Sequence, residues 1–149
     1  MKTSVFFLGL TLLLARSGVP QTPAPPTKPF FFKHFTTKNG LSYNLINCLF
    51  EDREGYVWVG TFNGLNRFDG TRFVSFKYDR NDPHSVAHNN ITDLCEDRAG
   101  NIWVATFYGV SRYVKAQNTF VNYLLEPQSK DVFRDNVVNN ILCDRNGTV

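Results

Sequence analysis

Residues 46–68 read Ile-Asn-Cys-Leu-Phe-Glu-Asp-Arg-Glu-Gly-Tyr-Val-Trp-Val-Gly-Thr-Phe-Asn-Gly-Leu-Asn-Arg-Phe, and residues 91–113 repeat that text 45 positions later. Twelve of the 23 pairs are identical, among them Asp52/Asp97, Gly55/Gly100, Trp58/Trp103, Thr61/Thr106, Gly64/Gly109 and Arg67/Arg112. A third copy begins at Val138, now offset by 47, and reaches Val149, one position before the repeat's Trp. The 149 residues are therefore expected to be a piece of a longer array.

A period of 45–47 residues holding four short strand-like runs fits one blade of a β-propeller. The first run, Leu45–Phe50, is mostly apolar and suits a strand buried on both faces. It ends at Glu51-Asp52-Arg53-Glu54-Gly55, where an Asp and a closing Gly suit a tight turn. In the second run, Tyr56–Gly60, Val57 and Val59 share one face and Trp58 takes the other, by the two-residue period of a strand. The tryptophans are expected to pack between neighbouring blades. A turn at Thr61–Asn63 leads to the third run, Gly64–Phe68. Asp69-Gly70 then signals a hairpin into the fourth, Phe73–Phe76. The equivalent fourth run is Phe120–Tyr123, so two extra residues fall between Tyr113 and Phe120. The fold expected is all-β: a partial propeller of about two and a half four-stranded blades. Phe30–Phe35 has the spacing of an outer strand without its own blade, one that would complete the last blade of a closed ring.

Upstream, Lys2 precedes the apolar run Val5–Ala15, which is shorter than the ~20 residues of a membrane-spanning helix. It has the length and basic start of a secretory signal, assigned to residues 1–21. A Pro-rich linker at 22–29 follows, and the incomplete propeller occupies 30–149. Cys48, Cys95 and Cys143 fall at three different repeat positions, and an odd count without shared register argues for small core hydrophobes over a disulfide framework. Net charge is +3 with scattered Lys and Arg, which excludes a nucleic-acid footprint. Two and a half blades leave open edges and inter-blade faces, so the piece is expected to be poorly stable as a free monomer.

No catalytic constellation, phosphate loop or Cys-x-x-Cys pair is present. His84 and His88 are four apart but flanked by Pro83 and Asn89-Asn90, which makes a loop and not a metal-binding helix face. Glu51-Asp52 and Glu96-Asp97 offer only two local carboxylates each, so Asp as a turn cap is preferred to a calcium loop. Neither a metal nor a cofactor is expected. Arg67 and Arg112 recur with the blade; such an Arg can line a channel and hold an anionic ligand or pair with an acid of an adjacent blade, and the structural role is preferred. Residues that differ between copies are better ligand candidates: Asn63 stands where the next copy has Tyr108, and Tyr108 is the candidate contact for a sugar ring.

The string from Leu49 to Asp69, with Asp52, Gly55, Trp58, Gly60, Thr61, Gly64 and Arg67, resembles the two-component-regulator propeller repeat. Asn81-Asp82-Pro83-His84-Ser85-Val86 resembles that family's link between blades. Phe35-Thr36-Thr37-Lys38-Asn39-Gly40-Leu41-Ser42 resembles its opening after the signal peptide. Ala105 and Val110 depart from the Gly60 and Leu65 of the first copy. The resemblance implies the periplasmic sensor half of a membrane receptor at the inner membrane. A downstream segment would attach it to the membrane, and the full-length receptor would be a homodimer. The output implied is a histidine kinase, often fused to a response regulator, or in other members a diguanylate cyclase. The ligand implied is a small molecule or oligosaccharide. An exported propeller lyase or glycosidase and a protein-binding scaffold are the rival readings.

Overall fold

The structure, a computed structural model, describes residues 31–124, 136–144, 146, 148 and 149. The signal-like run and the Pro-rich linker lie outside the described residues, and so does Phe30. Residues 1–32 and 33–149 form separate units. In the first, Phe31 and Phe32 are described and exposed. Among the described residues no helix is long and apolar enough to cross a membrane.

The second unit contains two four-stranded antiparallel sheets, each in sequential order. The first blade comprises β1 (Ile46–Glu51), β2 (Val57–Thr61), β3 (Gly64–Phe68) and β4 (Phe73–Phe76). The second comprises β5 (Ile91–Glu96), β6 (Ile102–Thr106), β7 (Gly109–Val114) and β8 (Thr119–Tyr123). The registers are equivalent: Trp58 lies opposite Arg67 and Phe50, while Trp103 lies opposite Arg112 and Cys95. Alternation along these ladders gives each blade two different faces. In the first blade one face carries Cys48, Phe50, Trp58, Leu65 and Phe76. The other carries Leu49, Val57, Val59 and Phe68.

The blades stack face to unlike face. Trp58 sits edge-on to Tyr113 of the second blade at 5.2 Å between ring centres, and Phe76 lies 5.3 Å from Tyr113 and 5.5 Å from Phe120. Ile91, Leu94, Ile102 and Val104 complete this core, and Trp58, Ile91, Ile102 and Val104 are fully buried. Gly60 permits the close approach. A Cβ there would stand 2.8 Å from Ile91 Cγ2 and closer still to Cys48 Sγ. Ala105 is accommodated at the equivalent place, opposite Asp93 instead of a Cys.

The Asp-x-x-Gly-x-x-Trp spacing has a structural cause. Asp52 Oδ1 accepts the Tyr56 N–H at 3.0 Å, and Oδ2 accepts the Trp58 indole N–H at 2.8 Å. Asp97 repeats this with Asn101 N–H and the Trp103 indole, at 2.9 and 2.8 Å. Each turn closes on a Gly at φ +84°, a conformation that favours glycine. One carboxylate thus caps the turn and anchors the following strand's indole. Burial alone would raise the Asp52 carboxyl; the indole of Trp58, the amide of Tyr56 and Lys115 outweigh it and hold it below the ordinary value. Asp97 is likewise low, with Asn101 and Trp103 outweighing burial.

Five sequence expectations are corrected. Residues 31–36 form no strand, because no described strand lies beside them to supply a ladder; Phe35 instead packs on Phe68 and Phe73. The described residues of the third copy form no strand either. They hold the Asp144 turn, whose N–H donates to Thr148 O at 2.9 Å. β1 is not buried on both faces: Ile46 is 45% and Leu49 is 65% exposed. The first outer hairpin turns on Gly70-Thr71, one residue later than expected, closed by the Asp69 N–H to Arg72 O. Last, Cys95 and Cys143 form a disulfide across a Cα–Cα distance of 5.8 Å. Comparing repeat positions misses it, since bridging needs adjacency across blades and not equivalence within them. Cys48 stays a free, half-buried thiol that burial and the nearby Asp93 push up to about 12.

Candidate functional site: the aromatic end of the blades

The two ends of the blades differ in chemistry. The β1–β2, β5–β6 and outer-hairpin turns gather charge. Lys115 Nζ lies 3.1 Å from Asp52 Oδ2, 3.3 Å from Glu54 Oε1 and 3.5 Å from Glu96 Oε1, tying the second blade's outer hairpin to the first blade's turn. Arg53 Nε reaches Glu96 at 3.6 Å. Two extra residues lengthen the outer hairpin by one rung, Val114 opposite Thr119, and Lys115 follows that rung. The carboxylates outweigh burial and raise the Lys115 ammonium.

The other end is built from the β2–β3 and β6–β7 turns and the connectors into each first strand. Hydrogen bonds join these pieces in sequence. The Phe62 N–H donates to Leu45 O at 3.1 Å, and the Gly64 N–H to Asn89 O at 2.7 Å. In the next repeat Phe107 N–H donates to Asn90 O at 3.1 Å and Gly109 N–H to Asn136 O at 2.6 Å. Asn47 Nδ2 bridges to Asn90 Oδ1 and Ile91 O at 2.9 and 2.7 Å, and Thr92 Oγ1 makes the equivalent reach to Val138 O at 2.6 Å. The result is a continuous belt running 43–45, 62–63, 88–90, 107–108 and 136–138. Its prominent side chains are rings. Phe62 is 51%, Tyr43 44% and Phe107 42% exposed, and His88 stacks on Phe107 at 6.4 Å. A cavity of about 540 Å³ is lined by Thr37, Tyr43, Asn44 and Leu45.

The sequence candidates fall as follows. Tyr108 lies half-buried in this belt, and its N–H donates to Thr106 Oγ1 at 2.9 Å, as the Asn63 N–H does to Thr61 Oγ1 at 3.0 Å. His84 and His88 lie in the β4–β5 connector, without a helix between them; His88 Nδ1 accepts the Asn90 N–H at 3.0 Å, and burial lowers its pKa. Among the described residues Arg67 pairs with no acid. Its guanidinium lies over Tyr56 at 4.8 Å and donates to Tyr113 Oη of the next blade at 3.4 Å. Arg112 stacks on Trp103 at 5.7 Å. The reading from the residues missed Phe62, Phe107 and Tyr43. Phe62 fell within the expected turn Thr61–Asn63 and was given no role there, and the exposure of Phe62 and Phe107 is seen only in the structure.

Residues 40–63 and 85–108 match the two-component regulator propeller. Each of the two complete repeats of this chain thus carries a match to that family's repeat. A histidine kinase of Formosa agariphila is 40% identical over 58 residues, which is 39% of this chain and 4% of the kinase. A protein of B. thetaiotaomicron described as the extracellular domain of a one-component system is 32% identical, with a TM-score of 0.47, covering 54% of this chain and 11% of that one. A second, described as the extracellular domain of a hybrid two-component system from the same organism, is 21% identical. Its TM-score is 0.34, with 64% of this chain and 20% of that one covered. The chain thus spans a small part of the length of each relative.

Proposed function

We propose that this chain is part of an exported sensor propeller whose receptor reports an oligosaccharide to a histidine kinase output. The observation that carries the reading is the regulator-propeller repeat at 40–63 and 85–108. The kinase among the relatives supports the choice of output. The signal-like N-terminus and the Cys95–Cys143 bridge support an oxidising compartment, here the periplasm. Signalling would proceed by rearrangement of a receptor homodimer across the membrane, with the propeller binding and the output module catalysing. Tyr108 and the rings beside it are the proposed contacts.

Thermal unfolding of the chain in the presence of an oligosaccharide panel tests the binding step. A ligand at 100 times its Kd should stabilise by about 2.7 kcal/mol. At least one sugar is expected to raise the midpoint, and the same sugar should raise autophosphorylation of the receptor that carries this propeller. No shift with any sugar contradicts the reading.

A further inference from the structure

Charge is distributed unevenly over the belt and its opposite end. Residues 42–47, 61–64, 86–91, 106–109 and 136–138 contain no Asp, Glu, Lys or Arg. In their place stand rings and carboxamides, among them Asn44, Asn63, Asn89 and Asn136. The charged residues of the β4–β5 connector are Lys77, Asp79, Arg80 and Asp82, and the Tyr78 N–H, between the first two, donates to Asn89 Oδ1 at 2.9 Å. A cluster of ionised groups marks the far end, around Lys115 and Arg53.

An anionic sugar needs cationic partners, normally Arg in bidentate geometry, since a carboxylate or sulfate brought against rings and amides loses water without compensation. A neutral pyranose needs a flat apolar surface for its C–H face and amides for its hydroxyls. Half-exposed rings provide the first, and carboxamides, which both donate and accept, provide the second. The ring positions also repeat: Tyr43 is followed 45 residues later by His88, and Phe62 by Phe107. A surface with one such pair per blade suits a chain molecule of repeating units. Burial favours the neutral form of His88, so among the described residues of the belt none carries a formal charge at neutral pH.

We propose that the belt carrying Tyr43, Phe62, Asn63, Phe107 and Tyr108 is a subsite for an uncharged oligosaccharide, and that it discriminates against uronic-acid and sulfated glycans. The proposal rests on the oligosaccharide reading above and narrows it to one chemical class at one place.

The test is calorimetric titration of the chain with two panels of matched length. One holds neutral gluco-, manno- and xylo-oligosaccharides; the other holds oligogalacturonides and sulfated galacto-oligosaccharides. Binding of a neutral member is expected, with each of Phe62→Ala and Phe107→Ala weakening it roughly two- to tenfold. Both rings are half-exposed, so their loss leaves the core intact, and circular dichroism of each variant checks this. Asn63→Lys should lower neutral affinity less than either ring truncation and add affinity for the oligogalacturonides. Binding of anionic sugars alone overturns the proposal and leaves the oligosaccharide reading standing. Neutral binding that both ring variants retain in full overturns the assigned location. Silence from both panels overturns the oligosaccharide reading, and the proposal with it.

Discussion

The two blades share half their residues at equivalent positions and differ sharply in what covers them. Leu49 is 65% exposed and its equivalent Leu94 is 6%; Ile46 is 45% and Ile91 is fully buried. The tryptophans run the other way: Trp58 is fully buried, whereas Trp103 is half-buried and stacks on Tyr123 of its own sheet. The cause is the direction of stacking. The Trp-bearing face of the first blade meets the Ile/Leu-bearing face of the second, a head-to-tail contact between unlike surfaces. Each blade therefore completes one neighbour and needs another. The first leaves an apolar groove of about 390 Å³ between residues that include Ile46, Leu49, Val57 and Phe68.

That asymmetry gives the largest expected effect. Trp58→Ala should cost about 3–5 kcal/mol, the range for a fully buried aromatic, and Trp103→Ala clearly less. Urea unfolding of both variants checks it, and equal losses would break the comparison. Next is the bridge. Cys143→Ser should cost about 2–4 kcal/mol, and hydrogen exchange should rise around β5 and the third copy while β1–β3 keep their protection. Uniform loosening would contradict the assignment of the bridge to one blade boundary.

A smaller contrast concerns close approach. Gly60→Ala should destabilise by about 1–3 kcal/mol through overpacking against Cys48 and Ile91. Ala105→Gly should cost about 0.5–1 kcal/mol, as for glycine within an element. The smallest effect at neutral pH is electrostatic. Asp52 and Asp97 have folded-state values below the unfolded ~3.9. Their stabilisation is complete above that unfolded value and is lost as pH falls through the lower folded values. Unfolding free energy should fall on acidification below about pH 4, and Asp52→Asn should flatten that slope. A rise in stability on acidification would reverse the sign.

Much of this was legible in the sequence, for physical reasons. Strand period and turn chemistry are local, so the eight strands, the two faces of β2 and the Asp caps followed from the repeat alone. The cross-blade features did not. Cys95 with Cys143 and Arg67 with Tyr113 are separated by about one period and Lys115 with Asp52 by more, and they meet because blades stack. Phe62 and Phe107 were hidden for another reason: the turn Thr61–Asn63 was legible, but the exposure of the rings at it was not. Tyr108 was singled out because it differs between copies; the belt around it is visible only in the structure, where its hydrogen bonds recur.

Acrylamide quenching of single-tryptophan variants tests the stacking most directly. With Trp103→Phe the remaining Trp58 should emit in the blue and resist quenching; with Trp58→Phe the remaining Trp103 should emit further to the red and quench readily. Equal accessibility of the two indoles, or greater exposure of Trp58, would contradict the head-to-tail packing of unlike blade faces.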